Sequence, residues 1–247
     1  MRFALEQFEA VFAVRNAAGK PYVLIGGQAV NYWAETYLGE EPLLAGWSPF
    51  TSEDIDLHGD QDDVARIAKL LGLPAQFPHK IAMTALAGMI PFNIGGTRAN
   101  IEIVRQVPGL PKNKIDEWSV AVRRGQKELR VLDPISLLIG KANLALTVDQ
   151  KSRRDVTHLQ IMVVCVRAFL RETLRGAEAG ELPARGWLGA VERVLKLGES
   201  AIGKKAVRKF GVDWRQALPE KEIAASHHKL VVTLREKRLP QWLAKQS

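Results

Sequence analysis

One cysteine in 247 residues, Cys165, leaves no partner for an intrachain disulfide, which fits the reducing cytoplasm. Nothing in the chain approaches the roughly 18–20 uninterrupted apolar residues of a membrane span. The longest candidate, 159–170, is interrupted by Arg167. The first residues carry Arg2, Glu6 and Glu9 within a helical pattern, which is not the form of a secretory signal. Internal repeats and low-complexity tracts are absent, which excludes solenoids and fibrous classes. The expectation is a cytoplasmic protein with no membrane partner.

What is present is enough for one large core or two smaller ones: 47% hydrophobic residues, with 25% charged. The net charge of +8 is unevenly spread. Residues 1–140 hold 14 basic and 16 acidic side chains, a net of −2, and residues 141–247 hold 21 and 11, a net of +10. A near-neutral half joined to a basic half suggests a catalytic part and a part that meets a polyanion.

The pattern along the chain separates the halves in another way. Apolar residues at helical spacing predict a helix over 3–17, and Tyr22-Val-Leu-Ile25 reads as a short buried strand. A helix over 28–38, a loop over 39–50 and a strand over 52–58 follow. Next come a helix over 62–71 closed by Gly72, and strands over 80–84, 89–94 and 100–104. Strands over 119–123 and 127–131 flank Gly125 as a hairpin. From Asp133, a plausible N-cap ahead of Pro134, the pattern is helical over 134–148, 153–174, 184–202 and 219–244. The expected fold class is α+β: a mixed-sheet core in a domain over 1–132, then an all-helical, basic domain over 133–247 that contributes to the site and to acceptor binding.

The chemistry concentrates in Val23-Leu-Ile-Gly-Gly-Gln-Ala-Val30 and Thr51-Ser-Glu-Asp-Ile-Asp-Leu57. A strand entering Gly26-Gly27 and then a helix lets backbone N–H groups approach a phosphate at the positive helix end. Asp54 and Asp56, at i and i+2 on a strand, share a face while Ile55 and Leu57 take the other. Two like charges so placed call for cations, and hard oxygen ligands suit Mg²⁺. Glu102, in Asn100-Ile-Glu-Ile-Val104, is the candidate third carboxylate.

Strand, Gly-Gly, helix, loop and Asp-x-Asp strand, in that order, resemble the DNA polymerase β-like nucleotidyltransferase superfamily. Leu137-Leu-Ile-Gly-Lys-Ala-Asn-Leu144, followed by Ser152-Arg-Arg-Asp-Val-Thr-His158, is similar to the tail of the AbiEii-like and MenT-like family of toxin nucleotidyltransferases. The resemblance spans roughly residues 22–165. It implies a two-ion Mg²⁺ site on Asp54, Asp56 and Glu102, with Lys141 neutralising the triphosphate of a bound NTP. It makes Asp155 a base, an orienter of the acceptor, or a partner holding Lys141. Ser52 falls where some members carry a reactive serine. His158 departs from the pattern, which has a second acidic residue there. The implied activity is transfer of an NMP from an NTP to an acceptor hydroxyl. RNA, such as a tRNA end, is the acceptor suggested by the basic half, with a toxin role and an antitoxin partner implied by the family. The alternatives are a small-molecule or protein acceptor, or a non-catalytic RNA- or nucleotide-binding regulator. His58 reads as a rim histidine, Cys165 as core, and Trp187, Trp214 and Trp242 as helix packing. His227-His228 lacks the spacing of a helical metal site.

Overall fold

The computed structural model describes residues 1–79, 81–151 and 153–245. The fold is α+β: among the described residues, one mixed sheet is followed by a run of helices. The chain divides into two compact units, residues 1–36 with 47–140, and residues 37–46 with 141–247. The expected boundary at 132/133 coincides with the end of the last strand, whereas the units divide between Gly140 and Lys141.

The first unit begins with a 3₁₀ turn, Leu5–Phe8, running into α1 (Glu9–Phe12). The helix expected over 3–17 is therefore cut at both ends. Phe3 instead exchanges backbone hydrogen bonds with Ser52 (2.7 and 3.0 Å), and Arg15 bridges to Pro21 while its guanidinium takes the Phe12 carbonyl at 2.6 Å. Then come β1 (Val23–Ile25), α2 (Gly26–Tyr37), β2 (Asp54–His58) and α3 (Gln61–Leu71). Asp60 caps α3 through the Asp62 and Asp63 amides, and Gly72, at φ 66°, closes it in the left-handed region that suits glycine. The antiparallel pair β3 (Leu86–Ile94) and β4 (Thr97–Val104) follows, then the hairpin β5 (Ser119–Arg124) and β6 (Lys127–Leu132). Strand order is β3-β4-β2-β1-β6-β5, with β2–β4 and β1–β6 parallel and the rest antiparallel.

No strand forms over 81–84; Ile81 and Met83 are exposed there, so the apolar residues that suggested one have no sheet to bury against. Lys80, the first residue of that expected strand, lies outside the described residues. The loop expected over 39–50 contains a 3₁₀ turn, Pro42–Trp47. In the sheet, Ile55, Leu57, Ile101 and Ile103 are buried with Val64 and Ile67 of α3, the apolar side of the alternation that leaves Asp54, Asp56, Asn100 and Glu102 on the other face. Helix α4 (Pro134–Thr147) starts where Asp133 accepts the Ser136 amide at 2.6 Å, with Pro134 at its first position.

In the second unit, α5 (Asp155–Glu178) is the central helix, followed by α6 (Ala184–Glu199) and α7 (Ala201–Phe210). The single helix expected over 184–202 breaks at Ser200, whose extended backbone and hydroxyl cap α7 by accepting the Gly203 amide at 2.9 Å. Gly203 permits the tight turn, since a Cβ there would lie 1.9 Å from the Leu197 carbonyl oxygen. The helix expected over 219–244 is also divided, into α8 (Glu220–Ala225), α9 (Lys229–Thr233), a π-helical turn over Leu234–Arg238, and α10 (Leu239–Leu243). The Ser226 hydroxyl turns aside to Glu178, and the His228 ring caps α9 through the Leu230 amide. Pro240 lacks an N–H to continue the ladder, which accounts for the wide turn before it. Trp187, Trp214 and Trp242 are buried, each indole N–H donating to a backbone carbonyl, of Leu170, Gly203 and Leu195. They are core residues and present no stacking surface. Cys165 is fully buried, and burial pushes its thiol far above the ordinary value. Residues 37–46 are tied in by Glu41, a buried carboxylate shared by Arg167 and Arg171. Among the described residues no helix is long and apolar enough to cross a membrane.

Candidate active site

Residues from two parts of the first unit meet at the junction of β1 and α2. Ile25 stands opposite Asp56 in the antiparallel register, so the chain leaving β1 passes directly beside the Asp56 carboxylate. Gly26 takes φ 68°, and a Cβ built on it would fall 1.7 Å from Asp56 Oδ2. The sequence reading attributes this glycine to phosphate approach; the structure gives it a nearer reason, since the carboxylate occupies the space a side chain would need. The Gly27 amide donates to Asp56 Oδ2 at 3.4 Å, so the helix end faces a carboxylate of this chain. Gln28 is buried: its side chain donates to the Phe3 carbonyl and accepts from Asn31, which ties the N-terminal segment to α2.

On the other flank, Ser52 is buried, its backbone paired with Phe3 and its hydroxyl donating to Asp54 Oδ1 at 3.3 Å. That bond orients the carboxylate. In the parallel β2–β4 register, Asp54 lies beside Asn100 and Asp56 beside Glu102, so the four side chains share one face. Among the described residues no three His, Cys, Asp or Glu side chains converge as a metal cluster. Mg²⁺ does not require that: one or two carboxylates, waters and substrate phosphates are its usual shell. The donor set here is all oxygen, and the Asn100 amide oxygen is buried with no donor reaching it. Asp54, Asp56 and Asn100 are residues that a hard divalent cation would fit. Asn100 is a member of this face that sequence reasoning missed, although its i, i+2 relation to Glu102 was the available signal.

Lys141 and Asp155 belong to the second unit and meet there. The ammonium donates to Asp155 Oδ1 at 2.8 Å, Arg153 takes Oδ2 at 2.6 Å, and the Lys141 and Asp155 side chains are both buried. Ser152, which opens that motif, lies outside the described residues. Burial works to raise the Asp155 pKa, but the charges and hydrogen bonds of Lys141 and Arg153 prevail and hold it down to about 2. A carboxylate depressed on folding contributes stability that is full above its ordinary pKa of 3.8 and is lost as pH falls through about 2. Asp155→Asn, which strands the Lys141 charge, is expected to cost about 3 kcal/mol at pH 7. Urea unfolding should show the gap to the unsubstituted protein shrinking between pH 4 and pH 2. A gap that is constant across that range would mean that the ionised Asp155 carboxylate is not its source.

His58 also lies on β2. Burial lowers its pKa, and its Nε2 is buried without a partner. It lines a cavity of about 390 Å³ with Tyr22, Asp60, Asp63, Arg66 and Asp116, a cavity that includes none of Asp54, Asp56 and Glu102. Three of its acids are already employed: Asp60 caps α3, Asp63 accepts the Tyr22 hydroxyl at 2.9 Å, and Asp116 pairs with Arg130.

No protein-family model matches the chain, and no curated protein matches it. Among solved structures, an antigenic nucleotidyltransferase-like protein from Paracoccidioides brasiliensis is similar over 66% of this chain and 78% of its own, at 14% identity and a TM-score of 0.45.

Proposed function

We propose that the chain is a Mg²⁺-dependent nucleotidyltransferase that moves an NMP from an NTP to an acceptor hydroxyl. The observation that carries this is the β1–Gly26–α2 junction seated against Asp56, with Asp54 and Asp56 beside Asn100 and Glu102 on one face. Mg²⁺ held there by Asp54 and Asp56 would supply charge neutralisation for the triphosphate and would acidify the attacking hydroxyl. The acceptor oxygen bonds to the α-phosphorus, the bond to the bridging oxygen breaks, pyrophosphate leaves, and the hydroxyl proton passes to solvent or a carboxylate. In this reading the Ser52 hydroxyl and the Gly27 amide hold the two aspartates in place, and Glu102 flanks Asp56 as a further carboxylate. The family resemblance assigns Lys141 to the triphosphate, and in the second unit Asp155 is the partner that positions its ammonium. The test is incubation with each labelled NTP, Mg²⁺, and total RNA or protein alone, followed by tracing the label. Incorporation with none of the four would overturn the reading.

RNA is the favoured acceptor, on one further observation. Lys204, Lys205, Arg208 and Lys209 of α7 are exposed, and none makes an ion pair among the described residues; α7 itself holds no acid. Four other arginines of the unit, Arg167, Arg171, Arg215 and Arg238, are each matched to a glutamate. A toxin role with an antitoxin partner is the family-level extension of this reading. Reversing all four α7 charges to glutamate should weaken RNA binding by at least about a hundredfold at low salt and flatten its salt dependence by several units of slope. NTP affinity should not change. RNA binding that survives the reversal would favour a small-molecule or protein acceptor.

A further inference from the structure

Asn100 sits in the interior of β4, where asparagine is a poor strand former and where its neighbours Ala99 and Ile101 are buried on the opposite face. Strand propensity does not explain it. Its side chain shares a face with Asp54, its parallel partner in the ladder, and its amide oxygen is buried with no donor. Buried acceptors are nearly always satisfied, so an orphan calls for an account. The atom is a hard, neutral oxygen beside a carboxylate, the type of donor that divalent cations draw from asparagine. With no three His, Cys, Asp or Glu side chains converging as a metal cluster among the described residues, a cation resting on Asp54 and Asp56 has room in its shell for another protein oxygen.

We infer that Asn100 is a metal ligand, its amide oxygen binding the cation on the Asp54 side. The inference rests on the reading of Asp54 and Asp56 as cation holders. A neutral ligand completes the shell without adding charge, so the face stays open to the anionic triphosphate. An aspartate in its place would bind the bare cation more tightly and accept NTP less readily.

Mn²⁺ binding without nucleotide, followed by electron paramagnetic resonance of the free ion, tests this on the full chain and on Asn100→Leu, Asn100→Asp and Asp54→Ala. Asn100→Leu is expected to weaken Mn²⁺ binding about tenfold or more. Its melting temperature without cation should be no lower than that of the unsubstituted protein, because an unpaired buried oxygen has been removed. Asn100→Asp should bind Mn²⁺ more tightly than the unsubstituted protein, which keeps the test decisive even where leucine perturbs the strand. Unchanged affinity in either variant, with binding lost in Asp54→Ala, would overturn the role of Asn100 and leave the aspartate site standing. No Mn²⁺ binding by the unsubstituted chain would overturn the site itself, and this inference with it.

Discussion

Asp54→Asn and Asp56→Asn are each expected to reduce NMP transfer by at least about a thousandfold while leaving the melting temperature within a few degrees of the unsubstituted value. A carboxylate–Mg²⁺ contact is worth several kcal/mol in the transition state, and each 1.36 kcal/mol is tenfold in rate. Stability should hold because asparagine keeps the shape of the side chain. At Asp56 its carbonyl oxygen can still accept from the Gly27 amide, and at Asp54 it can still accept from Ser52. Replacing one of two like charges also relieves repulsion. The measurement is label transfer from NTP alongside a thermal melt. Near-normal turnover in both variants would remove the central claim.

The second large effect is expected from the smallest change. Gly26→Ala adds one methyl group, yet it meets Asp56 Oδ2 at 1.7 Å and its carboxyl carbon at 2.4 Å, at a backbone φ of 68°. The left-handed conformation alone costs alanine about 1–2 kcal/mol. The overlap is with a short side chain anchored on a central strand, so relief requires the carboxylate to swing away or the β1–α2 junction to shift. Either moves the Asp56 oxygens by an ångström or more, a displacement that costs roughly a hundredfold in rate where they take part in the chemistry. Gly27→Ala supplies the contrast, because Gly27 has no positive φ and alanine adopts its backbone without that cost. It should melt close to the unsubstituted protein and retain far more activity. Equal activity in Gly26→Ala and the unsubstituted chain would show that Asp56 is not where the chemistry depends on it.

Much of this was legible in the residues because the physics is local. Alternation in Asp54-Ile-Asp-Leu57 fixes which side chains are buried, and the structure buries Ile55 and Leu57 as that pattern requires. Gly72, Asp133-Pro134 and Gly125 mark element ends by their own conformational preferences, and the elements end or turn there. What escaped depends on partners distant in sequence. The helical spacing of residues 3–17 could not reveal that Phe3 pairs with Ser52, or that Arg15 folds back on Phe12. Ser200 reads equally well as a helix interior or a cap until Gly203 is seen pressed on Leu197. Asn100 looks like an ordinary polar strand residue until the register sets it beside Asp54. The Gly-Gly motif suggests phosphate approach at Gly26, while its close approach to Asp56 is invisible there, because a contact across two strands does not show in a linear motif.

The second unit is discontinuous, and that has a consequence for how the chain is made. Residues 37–46 leave the ribosome well before Arg167 and Arg171, which stand 126 and 130 positions after Glu41. Strands β2 to β6 are synthesised in the interval, so this short segment must wait, solvated and unpaired, while another unit assembles. Closing such a span is slow relative to local helix formation, though the added entropy grows only with the logarithm of its length. Vectorial synthesis therefore completes the helical unit last, and a fragment beginning at Lys141 would be born without the carboxylate that Arg167 and Arg171 share.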